Sequence, residues 1–278
     1  MKYRDLNLEF EMEGVRFSAI SVCFETLPFL LPMHAHSKNS YEIHYVAFGT
    51  GTLITPGGRY EITPGTLFTT GPEIEHEQIS LEGDPMSEYC IYLKVDEIPR
   101  AAESFLWDFL RTPFWFGRGD ERIYGLMQQI IAELSERRPG YEQALCALLE
   151  QFVVTLVRHY GTSKKSNKPR SDGQFVPNDL MYLLIEEAFL YNYRDITLKS
   201  LSQVVRLSTR QTERLLQLHY NKTFLQKKTE ARMSAARSLL QETKMSISEV
   251  AEALGYSSVE HFSTAFKKYM GCTPSSMR

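Results

Sequence analysis

The sequence predicts two dissimilar domains: an amino-terminal all-β barrel followed by a helical segment, and a carboxyl-terminal all-α domain built on two helix-turn-helix units. Three observations predict them. Short β-rich runs fill the first hundred residues, apolar residues recur three and four apart from Glu103 onward, and one helix–turn–helix pattern occurs twice near the end. At 278 residues the chain is longer than an average domain and short for three, which agrees with two.

The strands come first. YEIHYVAFG, GTLIT, RYEI, GTLFTT and YCIYLKV alternate or are β-prone, and Gly, Pro and Asp separate them at short intervals, the pattern of a sandwich or barrel. Alternation on YEIHYVAFG puts Glu42, His44, Val46 and Phe48 on one face and Tyr41, Ile43 and Tyr45 on the other; which face points inward stays open.

FLWDFL, ERIYGLMQQIIAELSE and YEQALCALLEQFVVTLVRHY then follow a helical period. Leu145, Leu148, Leu149, Phe152, Val153 and Leu156 form a broad stripe on the last of them. Such a stripe packs against the barrel or forms a dimer seam, and both readings need the same pattern.

GTSKKSNKPRSDGQ, residues 161–174, is polar, basic and rich in Gly, Ser and Pro, a linker composition. The expected domains are therefore 1–160 for sensing and dimerisation, 161–177 for the linker and 178–278 for the helical domain.

Hydrophobic residues at 43% and charged residues at 23% exclude a disordered or fibrous chain. MKYRDLNLEFEMEG lacks a basic-then-apolar leader layout, and no run approaches the roughly 20 apolar residues of a spanning helix. A cytoplasmic protein without membrane contact is expected. Cys23, Cys90, Cys146 and Cys272 are scattered with no Cys-x-x-Cys pair, which argues for reduced, packed thiols rather than a disulfide framework.

The repeat aligns LSQVVRLSTRQTERLLQLHYNKTF, from Leu201, with VAEALGYSSVEHFSTAFKKYMGCTP, from Val250. Each has a short helix, a tight turn and a longer helix. Ser208 with Gln211, and Ser257 with Glu260, are spaced to cap the longer helices. Gly255 supplies the positive φ that a sharp turn needs, and Val205 occupies its position in the first copy. The second copy has one more residue near the start of its longer helix. From Arg194 to the end, 14 Lys and Arg face 7 Asp and Glu, a balance of +7, while the remainder holds 17 against 27, or −10. A basic end suits a polyanionic partner.

These residues resemble the AraC/XylS family of bacterial transcription regulators. Ile247, Ala251, Gly255, Phe262, Phe266, Lys267, Gly271, Thr273, Pro274 and Arg278 fall on that family's motif positions. The first copy is looser, with Thr212, Leu216 and Asn221 where the family usually has Leu, Phe and Gly. The resemblance implies a transcription regulator, expected to be an activator, whose partners are double-stranded operator DNA, a small-molecule inducer, RNA polymerase and a second copy of itself.

Helix geometry then selects the DNA-facing side. With Leu215 and Leu216 toward the core, Ser208, Thr209, Arg210, Glu213, Arg214 and Gln217 are left outward. With Phe262, Ala265 and Phe266 inward, Ser257, Ser258, Val259, Glu260, His261 and Thr264 face the groove, with Lys267 and Lys268 near the backbone. Arg210 and Arg214, four apart on one face, suit guanine edges, with phosphate contacts the near alternative. A helix from Thr223 to Gln241 should join the two units rigidly.

LPMHAHSKNSYEIHYVAFGTG followed by GRYEITPGTLFTTGPEIEHE resembles a cupin. His34, His36, Glu42 and His76 match positions that bind metal in cupin enzymes, although five residues separate His36 from Glu42 and the second motif is incomplete. Regulators of the AraC/XylS type carry the barrel as a sensor, so these side chains are expected first as pocket lining, with no metal and no cofactor. Arg16, Tyr92, Trp107 and Trp115 are further candidates for gripping a sugar, sugar acid or similar metabolite; both Trp residues also suit a core. Two rivals stay open: a metal-dependent cupin enzyme with a helical docking tail, and a DNA-binding regulator without a ligand.

Overall fold

The computed structural model describes residues 1–27, 29–36, 39–97, 104–160, 179–220 and 222–277. It divides into two compact units, residues 1–29 with 35–177, and residues 30–34 with 178–278. The linker expected at 161–177, Asn221 and Arg278 lie outside the described residues.

Strands β1 (Lys2–Met12) and β2 (Val15–Thr26) form a hairpin. Glu13 and Gly14 both take positive φ, the tight turn whose twist matches paired strands. There follow β3 (Leu30–His34), β4 (Ser40–Phe48), β5 (Gly51–Thr55), β6 (Gly58–Ile62), β7 (Thr66–Thr70), β8 (His76–Ser80) and β9 (Ser87–Glu97). A six-stranded sheet runs β1-β2-β9-β4-β7 with β10 (Phe114–Arg118) at its edge, and a four-stranded sheet runs β3-β8-β5-β6.

β10 (Phe114–Arg118) lies in the stretch expected to be helical. It pairs antiparallel with β7, Phe116 opposite Phe68. FWFGR is too short to show a period, and its aromatic residues fit a pleated surface better than a helix.

Strand β4 is covered on both faces. Tyr41, Ile43 and Tyr45 belong to the large core that also takes in Ile123, Leu126, Leu149 and Phe152 from the helices. Val46, on the opposite face, packs with Leu53, Ile62, Phe68 and Met86. Leu53 and Ile62 come from the four-stranded sheet, so Glu42 and His44 point between the sheets.

Helices α1 (Trp107–Leu110), α2 (Glu121–Glu136) and α3 (Tyr141–Tyr160) cover the six-stranded sheet. Asp120 caps α2 by accepting from Ile123 N. The α3 stripe is spent inside the chain: Leu145, Leu149, Phe152, Val153 and Leu156 are each at most 1% exposed within this core, and Leu148 packs against it. The barrel-packing reading of the stripe is the one seen within the chain, with Leu148 left half-buried. Trp115 is core as well, stacked on Tyr160 with ring centroids 5.1 Å apart.

The second unit contains α4 (Asp179–Tyr191), α5 (Leu198–Val204), α6 (Thr209–Tyr220), α7 (Phe224–Glu242), α8 (Ile247–Ala253) and α9 (Val259–Met270), then a 3-10 turn at Pro274–Ser276. Thr197, Thr223 and Ser246 each close a reciprocal capping box on the helix they precede. Among the described residues, no helix is long and apolar enough to cross a membrane.

Candidate nucleic-acid interface and sensor interior

Each copy of the repeat is a short helix, a left-handed residue and a longer amphipathic helix. In the second copy the left-handed residue is Gly255, φ +74°, as expected. In the first it is Arg206, φ +54°, and not Val205, which ends α5 with negative φ. Arg206 pays a steric cost that Gly255 avoids.

The cap of α6 is the expected one: Gln211 N donates to Ser208 Oγ at 3.3 Å, and Ser208 N donates to Gln211 Oε1 at 3.0 Å. The cap of α9 is one residue later than expected. Ser258 accepts from His261 N at 3.2 Å, while Ser257 Oγ lies 3.5 Å from His261 Nδ1. The extra residue of the second copy is therefore spent in the turn, and Ser257 is left on its exposed side. Hydrogen bonds from its own backbone N–H and from Ser258 hold the Glu260 carboxyl below its ordinary range, the behaviour of an acid in a first helical turn.

Burial separates the two sides of the longer helix in each copy. Thr212 and Leu216, like Phe262 and Phe266, are 0% exposed, while Leu215 and Ala265 are half-buried rather than fully inward. Thr209, Arg210, Arg214 and Gln217 on α6, and Glu260, His261, Thr264, Lys267 and Lys268 on α9, are exposed; Val259 and Ser258 are half-buried. Glu213 is half-buried and already committed, since its Oε2 accepts from Phe224 N at 3.2 Å and holds the start of α7.

Helix α7 is continuous over 19 residues, about 28 Å at 1.5 Å per residue. Lys228 Nζ donates to Ile196 O at 2.6 Å ahead of α5. Arg232 donates to the carbonyls of Tyr193 and Arg194 and stacks on Tyr256, beyond the Gly255 turn, 5.1 Å from the ring centroid. One arginine of the joining helix thus contacts both the segment between α4 and α5 and the residue that follows the Gly255 turn.

Between the sheets of the first unit, three imidazoles converge on one carboxylate oxygen. Glu42 Oε2 lies 2.8 Å from His36 Nε2, 3.2 Å from His44 Nε2 and 3.6 Å from His76 Nε2. His44 Nδ1 is 2.8 Å from Glu88 Oε1, and Gln78 Nε2 donates to Glu88 Oε2 at 2.8 Å. Tyr92, buried, meets His36 edge-on at 5.2 Å, and His44 stacks on Phe68 at 4.4 Å. Burial pushes the Glu42 carboxyl up, but the His36 charge and the imidazole hydrogen bonds outweigh it and hold it well below the usual range. Burial would lower His44, yet Glu88 and Glu42 overcome it and push the imidazole up to about 10. His76 is lowered, chiefly by burial.

A family model described as the AraC-like ligand binding domain matches residues 15–153, half of the chain, and a helix-turn-helix domain model matches residues 201–278. The chain belongs to the AraC family of transcription regulators. It is 29% identical over 250 residues to the uncharacterized HTH-type transcriptional regulator YdiP of Escherichia coli, covering 88% of this chain and 80% of that one. It is 26% identical over 245 residues to the Arabinose operon regulatory protein of Salmonella typhimurium, covering 86% and 83%. Against the HTH-type transcriptional regulator GlxA of Rhizobium meliloti it is 39% identical over 85 residues, 31% of this chain and 26% of that one, so it spans about a quarter of that relative's length.

This AraC-family regulator thus pairs a β-rich, cupin-like ligand-binding domain with a helical DNA-binding domain. Of the residues singled out in its barrel, His36, Glu42 and His76 bring donor atoms within 4.8 Å of one another, while His34 closes β3 and is counted with the second unit. Tyr92 joins them through His36. Arg16 is exposed, opposite Glu11 and Glu97 in neighbouring strands, so it does not line the buried space. His44, Gln78, Glu88 and Cys90 were not anticipated as site residues. His44 shares the alternation face of Glu42 and could have been read from it; Glu88 and Gln78 belong to no motif.

Proposed function

We propose that the regulator reads two successive major grooves on one face of its operator, with α6 and α9 as the reading helices. Arg210, Arg214, Gln217 and Thr209 supply one set of contacts, and His261, Thr264, Glu260, Val259 and Ser258 the other. Ser208 and Ser257 sit at the helix starts, and Lys267 and Lys268 approach phosphates. Glu213, fixed to α7, acts on the first helix by positioning. The observation that carries this reading is the single helix α7 joining two units of the same design, each with its outer face polar and its inner face buried.

The barrel, on this reading, is the sensor. A small polar metabolite, a sugar or sugar derivative, is the inducer class supported by the relative named for an arabinose operon. Its differential affinity for two arrangements of the protein shifts promoter binding toward activation with RNA polymerase. The protein works in the cytoplasm, where its operator is. A homodimer has to use a surface other than the α3 stripe, which the core has taken.

Selection from randomised duplexes by the full-length protein tests the DNA reading. Enrichment of two subsites about one turn, ~34 Å, apart is expected. No preference for its own promoter over scrambled competitor at moderate salt sinks it. Thermal shift against a sugar panel tests the ligand, a true one adding about 2.7 kcal/mol at a hundredfold excess over Kd.

A further inference from the structure

We propose that Arg232 is the positioning residue that sets the angle between the two reading helices, by holding the segment that leads into the first helix-turn-helix against the turn of the second. The inference rests on the reading of α6 and α9 as the DNA readers.

A continuous helix such as α7 fixes how far apart its two ends lie. The tilt of each copy on that helix is fixed by contacts beside it. Arg232 is the ninth of the 19 residues of α7, and its guanidinium is used on two edges and one face. Nε donates to Tyr193 O at 3.2 Å and Nη2 to Arg194 O at 2.5 Å, both in the segment between α4 and α5. Cζ lies over the ring of Tyr256, 5.1 Å from its centroid, in the second copy. Donating along a rigid fork while stacking by its plane is a capacity of arginine that lysine lacks.

A second observation, independent of the arginine, brings the two copies together at the same spot. A Cβ on Gly255 would come to 2.9 Å from Arg194 Cγ and 3.2 Å from Arg194 O. The backbone of the second turn thus lies directly on the segment that leads into α5, closer than a side chain would allow without a shift.

Both ends of this contact reach a reading helix. Tyr256 packs on Phe262, ring centroids 5.5 Å apart, and Phe262 is fully buried on the inner face of α9. Ile196 is buried with Leu201 of α5 and Leu216 of α6, and Lys228, one turn before Arg232, donates to Ile196 O at 2.6 Å. Packed groups therefore run from Leu216 through Ile196 and Arg194 to Arg232, Tyr256 and Phe262. Swinging one copy against the other breaks this run at Arg232. Two linked readers gain affinity from each other only where geometry lets both engage at once, so a fixed angle makes the protein select the spacer between its subsites.

The test uses the full-length protein and duplexes enriched by its own randomised selection: the two-subsite operator, the same operator with its spacer changed by two base pairs, and each subsite alone. Two base pairs turn one subsite by about 70°, and the wild type should lose at least about tenfold in affinity. Arg232→Ala should bind each single subsite within about twofold of wild type, lose about tenfold on the parent operator, and show a spacer penalty of about threefold or less. Arg232→Lys should not restore the penalty. Because Arg232→Ala could unfold, Tyr256→Leu is measured beside it. Leucine keeps an apolar contact with Phe262 and removes the ring from the guanidinium, so the same flattened spacer profile is expected. A wild type indifferent to the spacer, or a steep profile retained by either folded variant, overturns the proposal. So does an equal loss on single subsites and on the whole operator, the result of mere support of the fold. A wild type that enriches no two-subsite operator sinks the reading of α6 and α9 instead, whereas a steep wild-type profile unchanged in the folded variants sinks the role of Arg232 alone.

Discussion

His44 Nδ1 lies 2.8 Å from the Glu88 carboxylate, and both side chains are at most 3% exposed. Two opposite charges so placed depend on each other, since removing one leaves the other desolvated and alone. Glu88→Ala also deprives Gln78 Nε2 of its acceptor. The variant should lose about 3–5 kcal/mol of stability, read as a lower denaturant midpoint at an unchanged m-value. A loss under about 1 kcal/mol would show that His44 is neutral in the folded barrel.

The same pair sets a pH dependence. The folded His44 pKa, about 10, stands above its ordinary value of 6.5. Its contribution is therefore complete below about pH 6.5 and is lost as pH rises through 10. Urea midpoints should fall between pH 7 and 10 in the wild type and fall less in His44→Gln. Parallel declines in the two proteins would refute the assignment.

A methyl group at Gly255 would meet Arg194 Cγ at 2.9 Å and Arg194 O at 3.2 Å, with φ at +74°. Gly255→Ala should cost about 1–2 kcal/mol. Arg206, at the matching left-handed position of the first copy, should behave oppositely, and Arg206→Gly should gain up to about 1 kcal/mol. Chemical unfolding of the two variants checks both signs.

Leu149 is fully buried among α2, α3 and the six-stranded sheet. Leu149→Ala should lower stability by about 2–5 kcal/mol and leave the oligomeric mass, measured by light scattering, as it was. A stable variant that has fallen from dimer to monomer would return the stripe to an intermolecular role.

Arg210 and Lys267 are both exposed, on α6 and α9. Arg210→Ala should relax base preference at one operator position at a cost of about 1–3 kcal/mol. Lys267→Ala should weaken all sequences evenly and reduce the salt slope by about one. An unchanged logo for Arg210→Ala ends its assignment as a base reader.

The two architectures were legible because period is a strong signal: alternation in YEIHYVAFG and the three-four spacing in α3 and α9 describe the elements found. The double reader was legible because its caps are local. Ser208 and Gln211 need only their spacing, and the slip from Ser257 to Ser258 arose because two adjacent serines offer the same hydroxyl. Arg206 could not be foreseen, since a left-handed residue other than Gly leaves no mark in composition. In the barrel, His36, Glu42 and His76 were visible as residues, but their convergence on a single oxygen is long-range. Glu88 reaches His44 across 44 positions of chain, and no spacing rule carries that information. β10 escaped because five aromatic-rich residues are shorter than any period they could display.

One uninterrupted helix, α7, joins the two copies of the repeat, and on the proposed reading this makes its residue count a ruler of phase. Adding one residue would swing the downstream reader by about 100° and advance it about 1.5 Å. One base pair inserted between the subsites turns them by only about 34–36°. Three base pairs match one residue in rotation, about 102° against 100°, but advance about 10 Å against 1.5 Å, so a drifted operator would not be rescued by a matching insertion in the protein. On the proposed reading, spacer length and helix length are locked together, leaving the bases within each subsite as the sequence still free to diverge.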